Sequence, residues 1–270
     1  MNVSPPMSRL PTLFLSHGGG PWPWVDGMKD LFTRSAQAFA AIPGTLPEAP
    51  KAVLMITGHW EAPGFAVSTG EHPPMDYDYS GFPPHTYTLQ YPAPGDPPLA
   101  ARVMALMQAQ GLPCTGDPTR GYDHGTFVPL HFMFPQANVP VVLLSLKQGY
   151  NVADHLRAGQ AIAPLRDEGV LIVGSGLTFH NMRGFGHPSS TPVAQAFEQY
   201  LHDTITQPSA TLRHQSLMNW TQAPGARQAH PREDHLLPLM VAVGAAGDDP
   251  GERFLLEHAL EVDMGSYRFG

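Results

Sequence analysis

Five histidines stand next to apolar or glycine-containing stretches, where α/β proteins commonly place their chemistry. His17 follows the run "TLFLS", His59 follows "AVLMITG", and His180 comes shortly after "GVLIVGSG". His124 lies in "GYDHGTFVPL" and His235 lies in "HPREDHLLPL". Neutral imidazole is a common ligand of transition metals, and histidine also accepts and donates protons near neutral pH. These residues are therefore candidates for a metal centre with associated proton transfer.

Continuous runs of Val, Ile and Leu are typical of strands that are covered on both faces of a sheet. Such runs predict strands over residues 12–16, 52–58, 139–146 and 169–176. Helical patterns cover residues 98–111, 151–169 and 191–206. We therefore expect an α/β fold, with residues 1–270 forming a single domain around a central, mainly parallel or mixed sheet flanked by helices. Open sheets of this kind bind ligands beyond the carboxyl ends of their strands, so His17, His59 and His180 converge if their strands are neighbours.

The stretch "LFLSHGGGPWPW" has three interpretations. An esterase oxyanion loop needs a G-x-S-x-G nucleophile further along the chain, and neither Ser145 nor Ser175 has glycines two positions before and after it. A dinucleotide-binding loop needs G-x-G-x-x-G, and Phe179 occupies the third glycine position after "GSG". A metal ligand at a strand end is favoured, because a histidine follows an apolar run at several places in the chain.

Residues 73–98 contain eight prolines and the segment "DYDYSGFPPHTYTLQYPAPGDP". A long aromatic segment inside a compact domain is typical of a lid or a binding loop. Its rings could enclose a flat substrate or could anchor the loop to the body of the protein. These rings are Tyr77, Tyr79, Phe82, Tyr87 and Tyr91.

Composition excludes several classes of partner. The chain has 15 basic and 23 acidic residues, a net charge of -8, and no cluster of lysine or arginine, so we expect no nucleic acid partner. It has no apolar run of the roughly 18 residues that cross a bilayer, so we expect no membrane span. The single cysteine and an amino terminus without the apolar core of a signal peptide predict a cytoplasmic protein. No coiled-coil pattern or apolar surface stripe indicates an oligomeric state.

Six motifs in order carry a family resemblance: "LFLSHGGG", "MITGHWE", "GFPPHTYTLQYPAPGDP", "GYDHGTFVPL", "SGLTFHN" and "HPREDHLLPL". Over about residues 11–268 the chain resembles the class III extradiol ring-cleavage dioxygenases, in particular their 4,5-DOPA dioxygenase branch. The resemblance implies that His17, His59 and His235 are metal ligands. It also implies that His124 and His180 contact the substrate and move protons, with His180 as the main proton carrier.

The chemistry implied by this resemblance is cleavage of a catechol ring by O2 at an Fe(II) centre. Many non-haem iron oxygenases use two histidines and one carboxylate, whereas His235 occupies the third position here. Three imidazoles also describe catalytic zinc sites, so Zn(II) is a possible metal in the isolated protein. Glu233 or Asp234 remains an alternative ligand that could replace or supplement His235.

Two other functions use the same residues. A zinc hydrolase would employ the three histidines to activate water, with His180 or Glu233 as the base. A non-enzymatic protein similar to the Memo proteins would bind a metal or a ligand without turnover. The presence of every matched ligand position favours an enzyme.

Overall fold

A computed structural model describes residues 8–270. Its strands are β1 (Thr12–Ser16), β2 (Ala52–Thr57), β3 (Glu61–Ala62), β4 (Phe65–Ser68), β5 (Cys114–Asp117), β6 (Val141–Leu143), β7 (Leu146–Lys147), β8 (Val170–Gly176), β9 (Gly251–Ala259) and β10 (Val262–Phe269). Its α-helices are α1 (Met28–Leu31), α2 (Thr33–Thr45), α3 (Pro97–Ala109), α4 (His124–Met133), α5 (Val152–Ile162), α6 (Thr191–Ile205), α7 (Ala210–Met218), α8 (Ala226–Ala229) and α9 (Leu237–Ala246). Short 3-10 segments occupy Trp22–Trp24, Pro84–Thr88, Ala163–Glu168, Pro188–Ser190 and Trp220–Gln222.

The main sheet has the strand order β6-β2-β8-β1-β10-β9. The first four strands in that order are parallel. The carboxyl-terminal hairpin of β9 and β10 extends the sheet with antiparallel pairing. The predicted α/β fold with a mainly parallel or mixed sheet is confirmed. Since β2, β8 and β1 are neighbours, their carboxyl ends meet at one edge.

Successive residues of β8 face two different helices, which cover opposite faces of the sheet. A Cβ atom on Gly174 or Gly176 would collide with backbone oxygens of Pro238 and His235, at and just before α9. Ser175 points the other way and donates a hydrogen bond to the carbonyl of Gly125 in α4. Every residue of α9 is buried, which is expected of a helix that is apolar on all sides. The alternation fixes both helices against the strand end where the histidines lie.

The helical pattern over 151–169 is interrupted in the structure. α5 ends at Ile162, and a 3-10 segment continues from Ala163 to Glu168. Pro164 lacks a backbone N–H and cannot continue the helical hydrogen bonds, and Gly169 closes the segment with φ 87°. Within residues 8–270, no helix combines the length and the apolar character needed to cross a membrane.

Candidate metal centre and active site

Two histidines follow the parallel strands β1 and β2, which flank β8 on its two sides. His17 comes immediately after β1, and its backbone N–H donates to Gly176 O at 3.1 Å, at the end of β8. The N–H of Gly58 donates to Ser175 O at 3.1 Å and fixes the chain just before His59. The two imidazole ring centres lie 4.9 Å apart. The predicted convergence at strand ends is therefore observed for His17 and His59.

The tautomer of His17 follows from its hydrogen bonds. Ser175 Oγ has one proton, which it donates to the carbonyl oxygen of Gly125 at 2.5 Å. The same Oγ lies 2.9 Å from His17 Nδ1, so it must accept a proton from Nδ1–H. His17 Nε2 then carries a lone pair, and this buried atom has no hydrogen-bond partner among the described residues. A buried unsatisfied acceptor of this kind is ready to bind a cation.

His59 and His235 complete a cluster with His17 whose ligand atoms lie within 4.8 Å of one another. His59 Nδ1 lies 3.3 Å from Asp123 Oδ1, and His235 Nδ1 lies 3.4 Å from Asp234 Oδ1. Because a carboxylate only accepts, His59 Nδ1 is protonated, whereas His235 Nδ1 has no hydrogen-bond partner among the described residues. The Nε2 atoms of His59 and His235 lie 2.8 Å apart, so they either share one proton or bind a cation in its place. The donor set therefore fits a metal ion.

Burial and neighbouring charges keep most of this cluster in the protonation states that a metal requires. Burial, followed by the other histidines, holds the pKa of His17 well below its ordinary value. Burial likewise lowers the pKa of His235, although Asp234 opposes it. Burial also lowers the pKa of His59, but Asp123 and Asp78 outweigh burial and raise it overall. A metal at His59 Nε2 therefore competes with a proton, so metal binding weakens as the pH falls.

Asp123 is fully buried and connects the metal cluster to α4. As the N-cap residue of α4, it accepts from the N–H of Thr126 at 3.0 Å. It also accepts from Thr57 Oγ1 at 2.9 Å and pairs with Arg120. Burial favours the neutral carboxyl, but His59 and Arg120 outweigh burial and hold the pKa of Asp123 below its ordinary value. The ionised carboxylate thus orients His59 and begins the helix that carries His124.

His124, the first residue of α4, is held by a carboxylate that the sequence analysis did not single out. Its Nδ1 lies 2.9 Å from both oxygens of Asp78, and its backbone N–H donates to Asp78 Oδ1 at 3.0 Å. Asp78 Oδ2 also lies 3.2 Å from His59 Nδ1. Asp78 therefore links the aromatic loop to two of the five histidines. Asp78 lies in the segment "DYDYSGF", and no motif or spacing in the sequence predicts its contact with His124.

His180 reaches the cluster from the segment that follows β8. Its ring stacks on His235 with centres 3.4 Å apart, and its Nδ1 lies 3.6 Å from Asp234 Oδ1. Asp234 thus sits behind both rings, on the Nδ1 side of His235. Glu233 instead pairs with Arg227 at 2.7 Å. The arrangement offers Asp234 as an orienting carboxylate and directs Glu233 away from the cluster.

All five histidines line one cavity of about 510 Å³, within the range of roughly 300–1,000 Å³ that is usual for small-molecule sites. The glycines after His17 shape one wall. Gly18 has φ 81°, and a Cβ there would lie 2.7 Å from Trp22 Nε1, which donates to His17 O. A Cβ on Gly20, with φ 58°, would lie 2.5 Å from the Phe82 ring. These glycines permit close packing of aromatic rings around His17.

The aromatic loop, residues 73–98, contributes rings to the cavity and is also anchored to the body of the protein. Tyr79 and Phe82 line the cavity. Tyr77 donates to Leu89 O at 2.6 Å, and the buried Tyr91 donates to Phe134 O at 3.0 Å. The Tyr79 hydroxyl is also engaged, with Thr86 O at 2.6 Å, and burial raises its pKa to about 12. Tyr79 therefore offers its ring rather than an ionised oxygen to the cavity.

Comparison with known proteins agrees with this architecture. Residues 11–264 match a family described as the catalytic LigB subunit of aromatic ring-opening dioxygenase. The chain belongs to the LigB family. A LigB relative named 4,5-DOPA dioxygenase extradiol, from Portulaca grandiflora, is 37% identical over 92% of this chain and 90% of its own. One of the same name from Escherichia coli K12 is 36% identical over 90% and 88%.

Two further comparisons extend over nearly the whole chain. A relative named dioxygenase tasH, from Hapsidospora irregularis, is 36% identical over 98% of this chain and 86% of its own. A crystal structure of an uncharacterized protein from Escherichia coli K12 superposes with a TM-score of 0.79 and 32% identity, covering 97% of this chain and 100% of that one. LigB enzymes depend on a metal, and the histidine clusters of this LigB protein could hold one.

Proposed function

We propose that the protein is an Fe(II)-dependent extradiol dioxygenase that opens the ring of a catechol next to its two hydroxyl groups. Its co-substrate is O2, and the product is a ring-opened semialdehyde acid that retains both oxygen atoms of O2. The observation that carries the proposal is the set of three Nε2 atoms in one cavity with two further histidines. Membership of a ring-opening dioxygenase family supports it.

His17, His59 and His235 hold the metal through Nε2 in this proposal. When bound, Fe(II) would lower the pKa of the catechol hydroxyls and bring the diol and O2 together. Ser175 and Asp123 orient His17 and His59 through hydrogen bonds with their Nδ1 atoms, and the Asp234 carboxylate lies 3.4 Å from His235 Nδ1. Such partners fix both the direction and the tautomer of a ligating imidazole.

His124 is suited to receive a proton from the substrate. Its Nδ1–H is directed to Asp78, so the neutral ring has a lone pair on Nε2, where it can accept the proton of a catechol hydroxyl. The resulting imidazolium is stabilised by the Asp78 carboxylate. It then donates a hydrogen bond from Nε2 to the catecholate oxygen.

His180 moves the protons that ring opening requires at later stages. Its Nδ1 faces Asp234 at 3.6 Å, so Nε2 is the atom available to exchange a proton with the reacting molecule. Histidine can perform both directions of transfer near neutral pH. The apolar side chains on the cavity wall would limit the access of water to this exchange.

The test is anaerobic reconstitution of the protein with Fe(II), followed by a panel of catechols and then air. We expect O2 uptake and a yellow ring-opened product with Fe(II), and neither with Zn(II)-loaded protein. Absence of product from every catechol at stoichiometric iron would contradict the proposal. Hydrolysis of esters by the Zn(II) form would then indicate a zinc hydrolase, and inactivity of both forms would indicate a binding protein.

A further inference from the structure

Apolar side chains form much of the cavity wall. Beyond the histidines, its walls include Met28, Phe32, Met182, Phe185, Leu260 and Met264. Two of them mark the opening to solvent, since Met182 is 72% exposed and Leu260 is 36% exposed. Methionine and leucine adapt to the shape of an apolar ligand and offer it no hydrogen bond. The surface therefore suits the part of a substrate that extends from the ring towards the opening.

Cationic side chains are missing from this wall. Among the described residues that line the cavity, none is a lysine or an arginine. The one carboxylate on the wall is Asp78, which is already engaged by His124. A carboxylate substituent held against this lining would lose water without gaining a charged partner from it, which is unfavourable. Arg183, next to Met182 in the chain, lines a separate cavity. An ammonium group would meet the same apolar surface.

We infer that the substrate is a catechol whose ring substituent is uncharged and apolar, rather than one bearing a carboxylate or an amino acid group. This inference rests on the proposed ring-cleavage function and specifies its substrate class. The diol occupies the end of the cavity with the histidines, and the substituent lies along the apolar wall towards Met182. Each additional methylene that the wall covers increases kcat/KM about fourfold.

The experiment compares 4-propylcatechol, dihydrocaffeate and DOPA on the Fe(II)-loaded protein. The first two have side chains of equal length and differ in a terminal methyl against a carboxylate. We expect kcat/KM to be at least about tenfold higher for 4-propylcatechol than for dihydrocaffeate or DOPA. Equal or higher values for either charged substrate would overturn the inference while leaving ring cleavage intact.

Anaerobic calorimetric titration of the same compounds separates this inference from the proposed function. Binding is measured without turnover, so a protein that cleaves no catechol still reports its preference. Tighter binding of 4-propylcatechol with no cleavage in air would contradict the function and support the substrate class. Tighter binding of dihydrocaffeate would contradict the substrate class whatever the turnover.

A charge placed at the opening provides an internal check. Met182→Arg adds a cation at an exposed position and should shift the ratio of kcat/KM towards dihydrocaffeate about threefold. Met218→Arg is the matched control, because Met218 is 49% exposed at the end of α7 and does not line the cavity. An equal shift in both variants, or none in Met182→Arg, would show that the substituent does not pass Met182.

Discussion

His124 and Asp78 form a bidentate pair, with Nδ1 of the imidazole 2.9 Å from each carboxylate oxygen. The two residues belong to different parts of the fold, the start of α4 and the aromatic loop. The pair fixes which nitrogen of His124 faces the cavity. In the proposed reaction, proton transfer by His124 therefore depends on the position of a loop.

Asp78→Asn should lower kcat by about tenfold to a hundredfold, because the neutral amide stabilises the protonated form of His124 less well. Bound iron should change less than kcat, since Asp123 still holds His59 Nδ1. Steady-state kinetics and iron analysis on the same preparation check both expectations. Asp76→Asn is the control, because Asp76 lies two residues away and pairs with Arg120. Similar losses in both variants would indicate damage to the loop rather than to His124.

Ser175→Ala should weaken metal binding about tenfold to a hundredfold, because His17 then loses the partner that fixes its tautomer. Competition with a chromogenic chelator measures the change in the dissociation constant for Fe(II). Ser145→Ala is a matched control, since Ser145 is a buried serine whose Oγ accepts from Ala66 N. Unchanged affinity in Ser175→Ala would mean that the strand alone orients His17.

His180→Ala and His235→Ala should separate proton transfer from metal binding. We expect His180→Ala to lower kcat by about a hundredfold or more with nearly normal metal content. We expect His235→Ala to lose most of the metal, since it removes one of three ligands. Metal analysis beside kinetics distinguishes the two outcomes. Loss of metal from His180→Ala would instead assign His180 to the ligand set.

Stability should fall below neutral pH because of a buried histidine away from the cavity. His155 donates from Nδ1 to Asn151 O at 2.8 Å and accepts from Lys147 N at 3.2 Å, so its folded form is neutral. Burial lowers its pKa from 6.5 to about 4. In the unfolded chain this histidine takes up a proton at a higher pH than in the folded protein. Its contribution to the free energy of unfolding is therefore complete above pH 6.5 and disappears as the pH falls towards 4. The expected loss is about 3 kcal/mol of unfolding free energy.

Urea unfolding at several pH values measures how the free energy of unfolding depends on pH. His155→Gln should have a shallower dependence of the unfolding free energy on pH between 6.5 and 4, since glutamine does not titrate. His187→Gln is the control, because His187 is exposed and should leave the slope unchanged. A slope in His155→Gln equal to that of the original protein would assign the acid sensitivity to other groups.

Continuous apolar runs predicted the centre of the sheet well. Residues 12–16 form β1 as expected, and β2 and β8 lie within the predicted ranges. Of the run 139–146, only the short β6 joins the main sheet. The chain then leaves that sheet, Ser145 N donates to Ala66 O, and Leu146 begins β7. The hairpin of β9 and β10 was not predicted, because in β9 buried and exposed positions are mixed and no continuous apolar run marks it.

The candidate site was predictable only in part. Strand ends bring His17 and His59 together because β1 and β2 run parallel on the two sides of β8 and finish at the same edge. The partners of these residues could not be predicted in the same way. Asp78 contacts His124 because of the path of a proline-rich loop. Such a loop has no periodic pattern from which its path could be predicted. Ser175 contacts His17 across 158 residues of sequence, and no local pattern encodes that pairing.

The position of β1 inside the sheet has a consequence for biosynthesis. β1 precedes β8 and β10 in the chain but lies between them in the sheet, and its register joins Thr12 to Phe269. A ribosome-bound chain that lacks these strands cannot hold His17 and His235 in their final places. A metal ion held by both histidines would therefore enter only after β10 has been translated.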